Sequence, residues 1–265
     1  MAETTSADGT TIAYDSWGDG PLVVVVGGAF NDRGTWAQLA RALADQGFRA
    51  VSYDRRGRGS SGDTQPYAVE REIEDLSAVV DAAGQDGVAY AHGVSSGGAL
   101  LLRAVAAGVP VARVSVLEPP YRVAGAPPAP ERYIETLQAF VDADDRSGLV
   151  EYFQTRVIGL PAEMVTRFRG TPMWHALEAM APTLRYDGLA LGGDDHSLPV
   201  DLLSRVDVPV LAVTSAGTAA PWMGRATEEL AAALPSGEFT RLEGGFHEVP
   251  VEVLAAALAD FYRRD

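Results

Sequence analysis

A chain of 265 residues is long enough for one sizeable α/β domain with its own core. It has no cysteine, which removes disulfides, thiolate nucleophiles and cysteine-built metal sites, and all 21 basic residues are arginine, which removes Schiff-base chemistry and a Ser–Lys pair. The formal net charge of −15 argues against nucleic acid as a partner.

The polar start, Met1 to Ser6, lacks an apolar signal core, and no apolar run is long enough to span a bilayer. A cytoplasmic protein with no membrane partner is the expectation. Thr10–Tyr14 reads as an early strand. Leu22–Val26 is continuous and β-branched, as in a strand buried on both faces of a parallel sheet. Thr35–Gln46 has helical periodicity and stops at Gly47. Arg49–Tyr53 is the next strand, followed by a Gly-rich turn over Asp54–Asp63 and a helix over Glu70–Ala83. Val88-Ala89-Tyr90 predicts a strand, Ala99–Val105 a helix and Val114–Leu117 a strand ended by Pro119-Pro120. Late in the chain, Val208–Val213 and Glu238–Leu242 read as strands, and Ala226–Leu234 and Val251–Tyr262 as helices. Strands alternating with helices predict a mostly parallel sheet covered on both faces.

The rhythm breaks between Pro119 and about Leu203. That segment opens with Ala124–Pro130, which is too proline-rich for a helix, and continues as aromatic-rich helices. The expected organisation is a core domain of residues 1–118 and 204–265, with a helical cap inserted at 119–203. The cap aromatics form its own core, with some of them lining a pocket.

Between the predicted strand and helix near residue 95 lies Gly93-Val94-Ser95-Ser96-Gly97. A serine on such a tight turn is held in strain with its hydroxyl exposed, and the glycines let strand and helix backbones approach closely. A serine hydroxyl is a weak nucleophile until a base takes its proton, and that base needs an acid to orient it. Of the four histidines (His92, His175, His196 and His247), only His247 lies in a loop between the last strand and the last helix. It sits in Glu243-Gly244-Gly245-Phe246-His247-Glu248. No histidine pair has the spacing of a helical zinc motif, so no histidine-rich metal site is expected. His92 reads as a packing residue.

Four segments together carry a family resemblance: Gly27-Gly28-Ala29-Phe30, Asp54-Arg55-Arg56-Gly57-Arg58-Gly59-Ser60-Ser61, Gly93–Gly97 and Gly244–His247. In their order and spacing the chain resembles the α/β-hydrolase fold superfamily over nearly its whole length. The resemblance implies a mostly parallel central sheet with helices on both faces and an inserted cap. It implies Ser95 as nucleophile and His247 as base. The backbone N–H groups of Ser96 and Ala29 would form the oxyanion site, with Phe30 the alternative to Ala29. The usual acid loop corresponds to Thr214–Pro221, which holds no carboxylate. A variation within the family moves the acid to the end of the strand after the nucleophile helix, here Glu118, which Pro119 is expected to hold extended. Asp194, Asp195 or a Ser–His dyad remain as alternatives. Asp54 is expected to shape a turn.

Phe30, Trp174 and His175 are the expected substrate contacts. The implied activity is hydrolysis of a small or medium apolar ester or lactone through an acyl-enzyme, by a monomer or homodimer without cofactor. Serine rather than aspartate at 95 argues against the haloalkane dehalogenase branch. A non-hydrolytic member of the fold, either a ring-forming or lyase enzyme or a ligand receptor, is the alternative.

Overall fold

The computed structural model describes residues 1–84, 87–217, 220–245 and 247–264. In chain order the elements are β1 (Ala2–Thr5), β2 (Thr11–Trp17), β3 (Leu22–Val26), α1 (Ala37–Asp45), β4 (Arg49–Tyr53), α2 (Val69–Ala83), β5 (Ala89–Val94), α3 (Ser96–Ala106) and β6 (Arg113–Leu117). Then come α4 (Tyr133–Asp142), α5 (Arg146–Tyr152), a π-helical turn at Phe153–Val157, α6 (Ala162–Phe168), α7 (Pro172–Met180), α8 (Leu184–Ala190) and α9 (Val200–Leu203). The chain closes with β7 (Val210–Ser215), α10 (Pro221–Ala233), β8 (Gly237–Leu242) and α11 (Val251–Tyr262).

The strands form one sheet in the order β1-β2-β4-β3-β5-β6-β7-β8. β1 and β2 are antiparallel to their neighbours and the other pairs are parallel. Every residue of β3 is buried, as its unbroken β-branched run requires of a strand covered on both faces. One face packs against α2, α3 and α10, and the other against α1 and α11. From β3 the chain moves to β4 on one side, then returns to lay β5 on the other. That reversal opens a crevice at the carboxyl ends of β3 and β5, where open α/β sheets bind ligands. Ala29 follows β3 and Ser95 follows β5, so both fall at the crevice.

The helices α4 to α9 are inserted between β6 and β7. They have a core of their own, built from Tyr133, Leu137, Leu149, Phe153, Trp174 and Leu184. Met164 and Phe168 face solvent instead of joining it. The sequence reading missed β1, whose polar Ala-Glu-Thr-Thr lacks a strand-like alternation. It is an edge strand, and pairing with β2 decides its conformation. His92 packs inside the sheet as expected, with Nδ1 at 2.8 Å from Ser115 Oγ, and burial holds its pKa at about 3. Among the described residues, no helix is long and apolar enough to cross a membrane.

Candidate active site

Ser95 sits between β5 and α3 with φ 55° and ψ −127°, a conformation that costs a non-glycine residue roughly 1–3 kcal/mol. The surrounding packing enforces it. A Cβ on Gly93 would lie 2.6 Å from Gly98 Cα, and one on Gly97 would lie 2.4 Å from the Val26 carbonyl oxygen. Both flanking glycines are therefore demanded by backbone approach. The Ser95 N–H donates to the Leu117 carbonyl at 2.9 Å, which ties the turn to the end of β6.

The next residue after Leu117 is Glu118, fully buried. Its φ is +45°, so the expectation that Pro119 keeps it extended is corrected. The turn carries its side chain off the strand end to meet two loops at once. Oε1 accepts from Thr214 Oγ1, Ser215 N and Ser215 Oγ, each at 2.8 Å. Oε2 lies 3.0 Å from His247 Nδ1 and accepts from the His247 N–H at 3.3 Å. The loop that lacks a carboxylate thus supplies hydroxyl donors to a carboxylate from the neighbouring strand. Thr214 and Ser215 were not singled out from sequence. The available signal was two hydroxyl residues where an acid is usual. Asp194 and Asp195 lie elsewhere: Asp194 accepts from Ile134 N at 2.8 Å and Asp195 from Ser197 Oγ.

Burial alone would raise the Glu118 pKa. The hydrogen bonds from His247, Ser215 and Thr214 outweigh it and hold the carboxyl at about 2, against an ordinary 4.5. A depressed carboxyl pKa contributes stability that is fully present above 4.5 and is lost as pH falls toward 2. The stability gap between wild type and Glu118→Gln is therefore expected to be wider at about pH 6 than at about pH 3.5. Urea unfolding at both values tests this, and a gap independent of pH contradicts it.

His247 has φ 51° and projects from a loop braced by glycines. Gly217 N–H donates to the Gly244 carbonyl at 2.8 Å, and a Cβ on Gly244 would meet the Glu248 carbonyl oxygen at 1.9 Å. Phe246 of the quoted motif lies outside the described residues, as do Thr218 and Ala219 of the loop after β7.

Ser95, Ser96, Ala29 and His247 line one cavity of about 170 Å³, closed over by residues of the inserted helices such as Tyr133 and Phe153. Ser96 is the first residue of α3, where backbone N–H groups have no intrahelical acceptor. The loop carrying Ala29 is held from both sides. Gly28 N–H donates to Asn31 Oδ1 at 2.9 Å, and Arg58 Nη1 donates to the Gly28 carbonyl at 2.5 Å.

Behind this loop lies a buried charge network that sequence reasoning did not find. Asp187 of α8 accepts from Ser96 Oγ at 2.7 Å and Arg55 Nη1 at 2.6 Å through Oδ1, and from Arg58 Nη2 at 2.7 Å through Oδ2. Arg55 is also held by Glu72 through two bonds of 2.6 and 2.7 Å, and reaches the Gly27 carbonyl at 3.3 Å. Asp54 shapes its turn by accepting from Arg33 N at 2.7 Å and Ser60 N at 2.8 Å.

The expected substrate contacts need correction. Trp174 is buried in the core of the inserted helices, its Nε1 donating to Ser147 Oγ and Glu178 Oε1. His175 is on the surface against Glu178, and neither residue lines the cavity. On the nine-residue α7, helix phase decides which aromatics face inward, and the composition could not fix that phase. Phe30 stands just outside the cavity, edge-on to Phe153 at 5.4 Å, and so supports a lining residue. Among the described residues, no cluster of His, Asp and Glu has a metal-binding arrangement.

Several known proteins are similar to this chain. An alpha/beta hydrolase from Sphaerobacter thermophilus DSM 20745 superposes with a TM-score of 0.89 and 40% identity, covering 98% of this chain and 100% of that one. The enol-lactonase from Burkholderia xenovorans LB400 shares the fold at a TM-score of 0.65 and 18% identity, over 99% and 100% of the two chains. Non-heme chloroperoxidase CPO-A1 of Kitasatospora aureofaciens is 22% identical over 263 residues, 92% of this chain and 91% of that protein. The model of the Alpha/beta hydrolase family matches residues 23–261, which takes in the serine turn, the strand-end glutamate and the histidine loop alike, and the chain belongs to that family.

Proposed function

We propose that this chain is a cofactor-independent serine hydrolase acting on a small or medium ester or lactone, with Ser95 as nucleophile, His247 as base and Glu118 as the acid that orients it. One observation carries the reading: His247 Nδ1 lies 3.0 Å from a fully buried carboxylate, while His247 and Ser95 open onto the same cavity. Glu118 fixes the tautomer with its proton on Nδ1, which leaves Nε2 able to accept the Ser95 proton. Ser95 Oγ attacks the carbonyl carbon as that proton transfers. The oxyanion forms against the N–H groups of Ala29 and Ser96, each worth about 3 kcal/mol if aligned in advance. The carbonyl reforms, the C–O bond to the alcohol breaks, and the alcohol leaves with the proton from His247. Water then attacks the acyl-serine through the same steps, which releases the acid and returns the proton to Ser95.

A fluorophosphonate probe is expected to label the wild-type protein and to leave Ser95→Ala unlabelled, as read by intact-protein mass spectrometry. Unlabelled wild type that still binds ester ligands supports the receptor or ring-forming alternative instead.

A further inference from the structure

Two arginines face the cavity that holds Ser95 and His247: Arg122, shortly after β6, and Arg156, in the π-helical turn. Among the described residues, neither forms an ion pair with a carboxylate. Arg122 is half-buried and fixed in place. Its backbone N–H donates to the His196 carbonyl at 2.7 Å, and its Nη1 donates to the Pro127 carbonyl. Burial pulls its pKa below the ordinary arginine value, against the weaker pull of the Asp195 charge. Asp195 itself is engaged by Ser197. Arg156 is exposed and lines the same cavity.

The other ionisable groups on the lining do not offset these two charges. Asp187 is already committed to Arg55 and Arg58. His196, next to Arg122, is kept uncharged: burial first, and then the Arg122 charge, hold it at about 4. The lining therefore presents two arginine charges with no carboxylate of its own left to offset them, in a chain whose net charge is −15. Burial outweighs the pull of Asp195 on the Arg122 guanidinium, which is unfavourable for the charge, and an anionic ligand group relieves it. The remaining lining is largely apolar, through residues such as Pro128, Phe153 and Leu191.

We propose that the substrate of this site carries a carboxylate remote from its scissile carbonyl, held by Arg122 and Arg156. The substrate is then an amphiphilic half-ester or carboxy-lactone rather than the wholly apolar ester expected from the sequence. The ester half of this statement rests on the hydrolase reading, and the carboxylate half does not.

Calorimetric titration of Ser95→Ala protein separates the two. Monoethyl glutarate keeps an ester and a carboxylate, and diethyl glutarate replaces the carboxylate with a second neutral ester. The half-ester is expected to bind about tenfold or more tightly than the diester, with the advantage shrinking as salt rises. Arg122→Gln or Arg156→Gln, each checked for an unchanged thermal melt, is expected to bring that ratio toward one. Equal binding of the two esters, no detectable binding of the half-ester, or a ratio that survives both substitutions overturns the proposal. The hydrolase reading is judged separately, by fluorophosphonate labelling of Ser95 in the wild-type protein.

Discussion

Replacing Glu118 with glutamine is expected to lower kcat by roughly 10⁴-fold while leaving KM nearly unchanged. The reason is a forced flip of the amide. Three donors, Thr214 Oγ1, Ser215 N and Ser215 Oγ, converge on Oε1 at 2.8 Å, so the amide oxygen must occupy that position. The amide NH₂ then faces His247 Nδ1, where Oε2 stood at 3.0 Å. Nδ1 must become an acceptor, the ring proton moves to Nε2, and the histidine can no longer take the Ser95 proton. KM is spared because Glu118 does not line the cavity. Steady-state kinetics on an activated ester test this, and a kcat within tenfold of wild type removes Glu118 from the mechanism. Glu118→Gln retains nearly the same volume, so a preserved thermal melt separates the tautomer effect from misfolding.

The parts of this molecule legible from sequence are those fixed by local chemistry. Leu22–Val26 and Arg49–Tyr53 coincide with β3 and β4 because a β-branched run bounded by turns has few other uses. The serine turn was legible because its glycines answer a backbone contact, visible as spacing alone. Attention fell on Glu118 through an empty loop, and its carboxylate does lie beside His247, although its left-handed backbone was not foreseen, since the residue before a proline is ordinarily extended. The inserted helices were read as a class, yet the facing of each aromatic was not, and Trp174 and His175 were misassigned. Asp187 left no trace of its own: one aspartate in Leu184-Arg185-Tyr186-Asp187-Gly188 looks like a solvated helix position. The clue lay 132 residues away, where Arg55 and Arg58 both turn inward and require counter-charge. Only the fold reveals that inward turn.

Asp187→Ala is expected to destabilise the protein by about 3–5 kcal/mol. Arg55 and Arg58 are balanced by Glu72 and Asp187, two buried cations against two buried anions. Removing Asp187 leaves one buried positive charge uncompensated, and strands the Ser96 hydroxyl as well. The attraction of both guanidinium groups explains why Asp187 stays ionised there: burial raises its pKa, and the two arginines lower it by more. A double-mutant cycle isolates the charge effect from the lost volume. Arg58→Met restores neutrality when combined with Asp187→Leu, so the double variant is expected to lose clearly less stability than the two single changes summed. Urea unfolding of the four proteins measures the coupling. Additive losses, or a single-variant loss below about 1 kcal/mol, remove the charge balance as the reason for Asp187. The same arginines hold the Gly27 and Gly28 carbonyls in front of Ser95. Fluorophosphonate labelling of Asp187→Ala is therefore expected to slow even at temperatures where the variant remains folded, because the loop carrying Ala29 loses the anchor that sets its position.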